Sequence, residues 1–272
     1  MLANFNKKTV LITGGTRGIG LSTALLFAKL GAQCIIIYRW GAEDERAISD
    51  DFLKMGALAP ILFQADVANK DDTERLLKFL KEDAGLRQID VLVSNVSSSA
   101  IINSFDDYSL RALEKSIRYS AWPVISYSKQ IRNAFGRYPK YIIAVSSTGP
   151  AHYTYGYDYV AFTKTVMETL CKYMAHRLKH EKVLVHAVRS RAIKTKSLED
   201  TFGKELFQFA QNLVPDSYWI QPEEVAGVIV MLCSGLLDAM NGQIITVDRG
   251  TSFFDNIMDL YTRRASLPIF NQ

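Results

Sequence analysis

The chain predicts a single α/β domain, a parallel sheet of about seven strands doubly wound by helices on both faces. Two observations carry that expectation. Short apolar runs rich in β-branched residues alternate with longer segments of helical periodicity along the whole sequence. Several runs are almost continuous Val, Ile or Leu, the pattern of strands buried on both faces. Strand–helix alternation of this kind closes into one sheet through right-handed crossovers.

The elements follow in order. Thr9–Thr13 is the first expected strand, and a glycine-rich turn leads from it into a helix over Gly18–Leu30. Gln33–Tyr38, with three successive isoleucines, is the second strand, and Ala42–Met55 the second helix. Pro60–Gln64 and Lys70–Asp83 form the third pair. Ile89–Ser94 precedes one long helical segment, Tyr108–Phe135. Tyr141–Val145 leads to a helix over Tyr157–His180, and Val183–Val188 is the sixth strand. Residues 196–214 read as an amphipathic lid, with Leu198, Phe202, Leu206, Phe207 and Phe209 as its apolar contacts. A helix over Pro222–Cys233 and a last strand, Gln243–Val247, complete the alternation. Residues 253–272 form a tail whose Tyr261, Leu267, Ile269 and Phe270 suit either a neighbouring subunit or the chain's own surface. No linker, repeat or low-complexity tract interrupts residues 1–272, so they read as one domain.

Composition narrows the function classes. Of the 272 residues, 48% are apolar and 22% charged, the balance of a soluble protein with a large core. A net charge of +4 with no long basic run gives no footprint for nucleic acid. The longest apolar stretch, near Val225 to Leu237, contains Cys233, Ser234 and Gly235 and is too short to span a bilayer. Met1 to Lys8 has no apolar signal core, and Cys34, Cys171 and Cys233 are too scattered for a disulfide framework or zinc site. A reducing cytoplasm is the expected compartment. His176 and His180 stand four apart without an intervening Glu, so they read as a surface helix end and no metal is expected.

The first strand runs into Thr13-Gly14-Gly15-Thr16-Arg17-Gly18-Ile19-Gly20. Glycines between a strand and a helix allow a tight turn and let backbone approach a pyrophosphate. The helix N-terminus supplies free N–H groups and a partial positive charge. Gly14, Thr16, Arg17, Gly18, Ile19 and Gly20 are therefore the expected dinucleotide-binding residues. The second strand ends at Arg39, where a carboxylate would hold both ribose hydroxyls of NAD. An arginine can instead hold a 2′-phosphate, so Arg17 and Arg39 favour NADP(H) over NAD(H).

Counting back from Lys164, Tyr157 lies seven residues before it and Ser147 seventeen. A serine, a tyrosine and a lysine converging on one carbonyl oxygen make a proton-donating site. A nearby ammonium favours phenolate, so Lys164 is expected to tune a tyrosine downward from a pKa near about 10. The position one helical turn before Lys164 is Val160, which has no proton to give. Among Tyr153, Tyr155, Tyr157 and Tyr159, Tyr157 returns to the lysine's face after about two turns, whereas Tyr159 lies off it. A competing reading makes the tyrosines only an aromatic wall of an apolar pocket.

With these residues in place, the chain resembles the short-chain dehydrogenase/reductase family over nearly its whole length, with a Rossmann-type fold implied. Thr13, Gly14, Gly18 and Gly20 match its glycine pattern, and Asp66-Val67 its adenine-contacting pair. Asn95 keeps one asparagine of the segment after strand four, Lys164 matches the lysine that holds the nicotinamide ribose, and Ser147 matches the active-site serine. Ala192-Ile193-Lys194-Thr195 resembles the stretch touching the carboxamide, which assigns Ile193 and Thr195 to the cofactor. Most members place the tyrosine four residues before the lysine. The spacing here is similar to that of type III enoyl-acyl carrier protein (ACP) reductases.

The resemblance implies NADPH-dependent reduction of an enoyl thioester, on ACP or another carrier, by a homodimer or homotetramer. In enoyl reduction, hydride goes to the β-carbon while the phenol contacts the thioester oxygen two bonds further on. A displaced tyrosine suits that longer acceptor. Two alternatives stay open: a carbonyl or 3-ketoacyl reductase using Tyr157 or Tyr159, and a catalytically weak NADP(H)-binding sensor or scaffold. The second is motivated by Ser120, Ser190, Arg191 and Arg249, which depart from the family pattern. Arg189, Arg191, Lys194 and Lys196 cluster after strand six, as a docking patch for an acidic carrier or as solvated loop charges.

Overall fold

The computed structural model describes residues 4–40, 44–191, 193, 199, 203–211 and 213–267. Seven parallel strands form one sheet: β1 Thr9–Thr13, β2 Gln33–Tyr38, β3 Ile61–Gln64, β4 Val91–Ser94, β5 Tyr141–Ser147, β6 Leu184–Ser190 and β7 Ile244–Val247. Their order is β3-β2-β1-β4-β5-β6-β7. The order reverses between β1 and β4, which are paired from Val10↔Val91 to Thr13↔Ser94. The crevice beyond the strand ends at such a reversal is where this architecture takes ligands.

The strand residues alternate between two cores. Val10, Ile12, Cys34 and Ile36 face one layer, and Leu11, Ile35, Ile37 and Leu92 the other. Helices α1 Gly18–Lys29, α2 Glu45–Lys54, α3 Lys70–Glu82, α4 Leu110–Ser120, α5 Pro123–Phe135, α6 Asp158–Arg177, α7 Lys204–Gln211, α8 Pro222–Leu232 and α9 Asn256–Thr262 lie among the described residues. The first core is closed by α1, α2 and α8, through Phe27, Phe52 and Ile229; the second by α3, α5 and α6, through Leu76, Tyr127 and Met167. Among the described residues no helix is long and apolar enough to cross a membrane.

Several boundaries differ from the sequence expectation. The single helix expected over Tyr108–Phe135 is two, because Pro123 opens α5 at its first turn. Proline has no N–H to continue the α4 ladder and is tolerated where a new helix starts. The amides of Ala121 and Trp122 both close onto Ile117 O, ending α4. Strands β5 and β6 run two residues further, with Ser146↔Arg189 and Ser147↔Ser190 in register. Tyr157 is the cap of α6 rather than its first helical residue, and the Ala161 amide bonds its carbonyl at 2.9 Å.

Candidate active site

The turn after β1 is built so that only glycine fits. Gly14 and Gly18 have φ of 68° and 55°, where a Cβ is strained. A Cβ on Gly20 would lie 2.3 Å from Gly14 O and 2.8 Å from Asn95 Nδ2. Asn95, from the end of β4, donates through Nδ2 to Gly14 O at 2.9 Å and Thr13 O at 3.2 Å. Its amide bonds Thr13 Oγ1 at 3.0 Å. The expected site residue Asn95 therefore shapes the loop. Arg17 caps α1 without a side-chain cap, and no acidic residue stands in the first turn. Thr16 is buried, Ile19 half-buried, and Arg17 exposed. An open helix N-terminus beneath close-packed glycine backbone fits the pyrophosphate of a dinucleotide.

Just beyond β2, Arg39 is already engaged. Its Nη1 donates to Tyr119 Oη at 2.7 Å, and its Nη2 lies 3.0 Å from Asp66 Oδ2. Tyr119 in turn donates to the same carboxylate oxygen at 3.1 Å. Trp40 covers the guanidinium at 3.8 Å. The other Asp66 oxygen accepts the Ala68 amide at 2.9 Å, and Val67 is buried beside it. Arg39 stands where a 2′-phosphate reader is expected, but it must exchange a carboxylate for a phosphate to act as one.

The four tyrosines separate clearly. Tyr153 and Tyr155 are exposed, while Tyr159 is buried and hydrogen-bonded to Ser109 in both directions. Of the four, Tyr157 is the one whose phenol feels the Ser147 hydroxyl. Gly149 gives it room, since a Cβ there would sit 3.2 Å from Tyr157 Cδ1. Ser147 also accepts the Gly149 amide at 3.4 Å. β5 thus places Ser147, and the cap of α6 places Tyr157, at the carboxyl edge of the sheet.

Lys164 corrects one expectation. Its ammonium is turned into the fold and donates to Val145 O at 2.7 Å. Burial strips it of water and lowers its pKa to about 8, against an opposing pull from Glu168 and then Cys171. Tyr157 is not held low by Lys164. Burial instead holds its phenol above the ordinary value, and the hydrogen bond from Ser147 opposes that rise. The seven-residue spacing sets the phenol at the helix cap while Lys164 reaches toward the sheet.

The basic cluster at the end of β6 is also not what its sequence suggests. Arg189 makes a two-pronged ion pair with Glu168, at 2.6 Å through both Nε and Nη2. Arg191 donates to Thr251 O at 3.0 Å. Neither is a free docking charge in this arrangement. Lys194, Lys196 and the expected carboxamide contact Thr195 lie outside the described residues, as do Leu198 and Phe202 of the lid. Ile193 is buried and bridges to Ile220. Within the lid, Phe207 packs on Trp219 with ring centroids 5.6 Å apart, while Phe209 is exposed. The tail folds back on the chain itself: Tyr218 donates to Asp259 at 3.0 Å, and Arg263 reaches Leu213 O at 3.1 Å.

The departures from the family pattern have structural uses. Ser120 is buried, accepts the Ser98 amide at 3.0 Å and donates to Ser98 O at 3.1 Å, which ties the loop after β4 to α4. Arg249 holds φ of 55° and pairs with Glu224 at 2.5 Å. Glu168 escaped the sequence reading. A charged residue one turn beyond Lys164, on the apolar face of a core helix, was the available signal.

A family model described as enoyl-(acyl carrier protein) reductase matches residues 14–252. Among curated relatives, 3-oxoacyl-[acyl-carrier-protein] reductase of Synechocystis sp. is 29% identical, covering 91% of this chain and 98% of its own. Two solved structures share the fold. One is a short-chain dehydrogenase from Burkholderia cenocepacia J2315 in complex with NADP, at TM-score 0.77 and 22% identity, covering 92% of this chain and 99% of its own. The other is enoyl-[acyl-carrier-protein] reductase (NADH) from Aquifex aeolicus VF5, at TM-score 0.78 and 22% identity, covering 92% and 98%.

Proposed function

Because the chain belongs to the short-chain dehydrogenase/reductase family, and is by that membership an NAD(P)-dependent oxidoreductase, we propose that it reduces an enoyl thioester with NADPH. One observation carries the reading: Tyr157 alone among the neighbouring tyrosines pairs with Ser147, seven residues before Lys164. Val160 occupies the one-turn position, and Tyr159 is engaged by Ser109.

The cofactor, when bound, supplies hydride. The glycine turn, with Gly14, Thr16, Arg17, Gly18, Ile19 and Gly20, holds its pyrophosphate. Asp66 and Val67 flank the adenine, Arg39 takes the 2′-phosphate after leaving Asp66, and Asn95 and Ile193 flank the nicotinamide end. Lys164 holds the ribose. Tyr157 and Ser147 bind the thioester oxygen, so that negative charge developing there meets two hydroxyl donors. A phenol kept protonated by burial suits this role as a donor. Thr195 belongs to the same proposal on sequence grounds. The thioester is carried by ACP or a similar acyl carrier.

A second reading is favoured by the Synechocystis relative: reduction of a 3-ketoacyl thioester, with hydride acceptor and oxygen directly bonded. Exposed Phe105, Phe162 and Tyr173 near α4 and α6 support a homodimer or homotetramer, which light scattering reads directly. The deciding experiment follows NADPH absorbance with enoyl-ACP, enoyl-CoA, 3-ketoacyl-ACP and simple ketones. Enoyl turnover with saturated product supports the proposal. Alcohol formed from ketoacyl substrates with no enoyl reduction establishes the second reading. Tight NADPH binding without turnover on any of them establishes a cofactor-binding module.

A further inference from the structure

We infer that Glu168, clamped by Arg189 and Ser146, is a positioning residue that keeps Lys164 charged in its buried seat. The inference rests on the reading of Lys164 as the cofactor-holding lysine.

Glu168 is buried, yet it is a carboxylate in a helix face otherwise made of Met167, Cys171 and Met174. Burial of a charge is costly without partners. Here the partners come from two neighbouring strands. Arg189 of β6 reaches both carboxylate oxygens at 2.6 Å, and Ser146 Oγ of β5 donates to Oε1 at 2.7 Å. Ser146 and Arg189 are themselves register partners across the two strands. The clamp therefore joins α6, which carries Lys164, to β5, which carries Ser147, and to β6, which leads to Ile193.

Glu168 stands four residues after Lys164, one turn along the same face. Among the described residues the ammonium's hydrogen-bond partner is the Val145 carbonyl, and its side chain is buried. From α6 itself, Glu168 and Cys171 act on it. The α6-facing residues of β5 are Ile142, Ala144 and Ser146, and those of β6 are Val185, Ala187 and Arg189. His186 points to the other face of the sheet, as its strand alternation requires. The charged side chains of α4, namely Arg111, Glu114, Lys115 and Arg118, are exposed, and Tyr119 is bound to Arg39 and Asp66. Tyr157, at the cap, pairs with Ser147. Glu168 is thus the one buried anion beside Lys164 among the described residues, and Arg189 is the counter-charge that moderates it.

The two charges give opposite signs, which a purely structural clamp would not. Lysine-selective 13C labelling of the cofactor-free protein reads the Lys164 titration, with its resonance identified by its loss in Lys164→Met. Glu168→Gln is expected to lower the titration midpoint by one pH unit or more, and Glu168→Asp to restore most of it. Arg189→Met, which leaves the carboxylate unmoderated, is expected to raise the midpoint. Should Glu168→Gln fail to fold with Arg189 unpaired, Glu168→Gln/Arg189→Met removes both charges and should still titrate below the parent. In parallel, the dissociation constant of NADPH is measured by fluorescence between pH 7 and 10. It should rise at least tenfold as Lys164 loses its proton, with a break that moves with the midpoint in each variant. An unmoved midpoint in Glu168→Gln, or a shift of the same sign in Glu168→Gln and Arg189→Met, overturns the inference. Midpoints that move as expected while NADPH affinity does not follow them leave Glu168 as the keeper of the Lys164 charge and instead overturn the assignment of Lys164 to the cofactor.

Discussion

Tyr159 donates its hydroxyl to the Ser109 carbonyl at 3.0 Å and accepts the Ser109 amide in return, so this phenol joins α6 to the start of α4. Two residues earlier, Tyr157 meets Ser147 instead. The division of labour between two neighbouring tyrosines is set by which side of the α6 cap each one leaves.

Exchanging each for phenylalanine separates these uses. Tyr157→Phe should lose about 10²- to 10⁴-fold in turnover, the range for a positioned proton donor, with NADPH affinity nearly unchanged. Tyr159→Phe should retain turnover but cost about 0.5–1.5 kcal/mol of stability, because the Ser109 amide and carbonyl lose a part-buried hydrogen-bond partner. Steady-state rates and urea unfolding read the two effects. Equal turnover in Tyr157→Phe and the parent removes the proton-donor assignment.

Two glycines on core helices should respond to alanine in opposite directions. A Cβ on Gly20 meets the Gly14 carbonyl at 2.3 Å, and the backbone there cannot yield cheaply. Gly20→Ala should cost about 1–3 kcal/mol and reduce NADPH affinity by moving the turn off the helix end. Gly227, inside α8, has nothing within 4 Å of a new Cβ. Gly227→Ala should stabilise by about 1 kcal/mol through helix propensity alone. Urea unfolding of both variants, with cofactor titration of the first, checks the contrast.

The legible parts of the sequence were those set by local chemistry. The strand runs at Thr9–Thr13 and Gln33–Tyr38, the glycine turn and the Ser147–Tyr157 pair are stated by residue type and spacing. What stayed hidden was long-range pairing. Arg39 reads as a phosphate arginine until Tyr119, eighty residues on, is brought beside it. Arg189 reads as a loop charge until β6 carries it across the sheet to Glu168. The Lys164 direction depended on the Val145 carbonyl, which no spacing rule on α6 contains. The helix break at Pro123 was available locally, but the apolar periodicity on both sides of it masked the stop.

Arg249 offers a test of backbone strain. It holds φ of 55°, in a turn where glycine would be at ease, and its ion pair with Glu224 is half-exposed on both sides. An exposed pair is worth about 0–1 kcal/mol, and a non-glycine residue in the left-handed region costs about 1–2 kcal/mol. Arg249→Gly should therefore be neutral to stabilising, by up to about 1 kcal/mol. Raising the salt concentration should narrow any deficit from the lost pair. A loss above 2 kcal/mol would show that the Arg249–Glu224 contact holds the turn to α8 more firmly than its exposure suggests.

The last prediction concerns the cost of burying Lys164. Its pKa falls from the ordinary 10.5 to about 8 in the fold, so between those values the unfolded chain binds more protons than the native one. Stability of the parent therefore rises with pH across about 8 to 10.5, and below 8 the full penalty of the buried ammonium is present. Its size is ~3 kcal/mol at neutral pH, since one pH unit corresponds to about 1.4 kcal/mol. Lys164→Met keeps the chain length and removes the charge. It forfeits the hydrogen bond to Val145 O, worth about 1 kcal/mol, so the net gain at pH 7 should be about 2 kcal/mol. The same variant should lose cofactor-dependent turnover, trading function for stability. Urea unfolding of parent and variant at pH 7 and pH 10.5 measures the difference, in which the other titrating groups cancel. The gain should shrink to nothing or reverse at the higher pH, and a difference that stays constant would mean that Lys164 is not the group whose burial sets it.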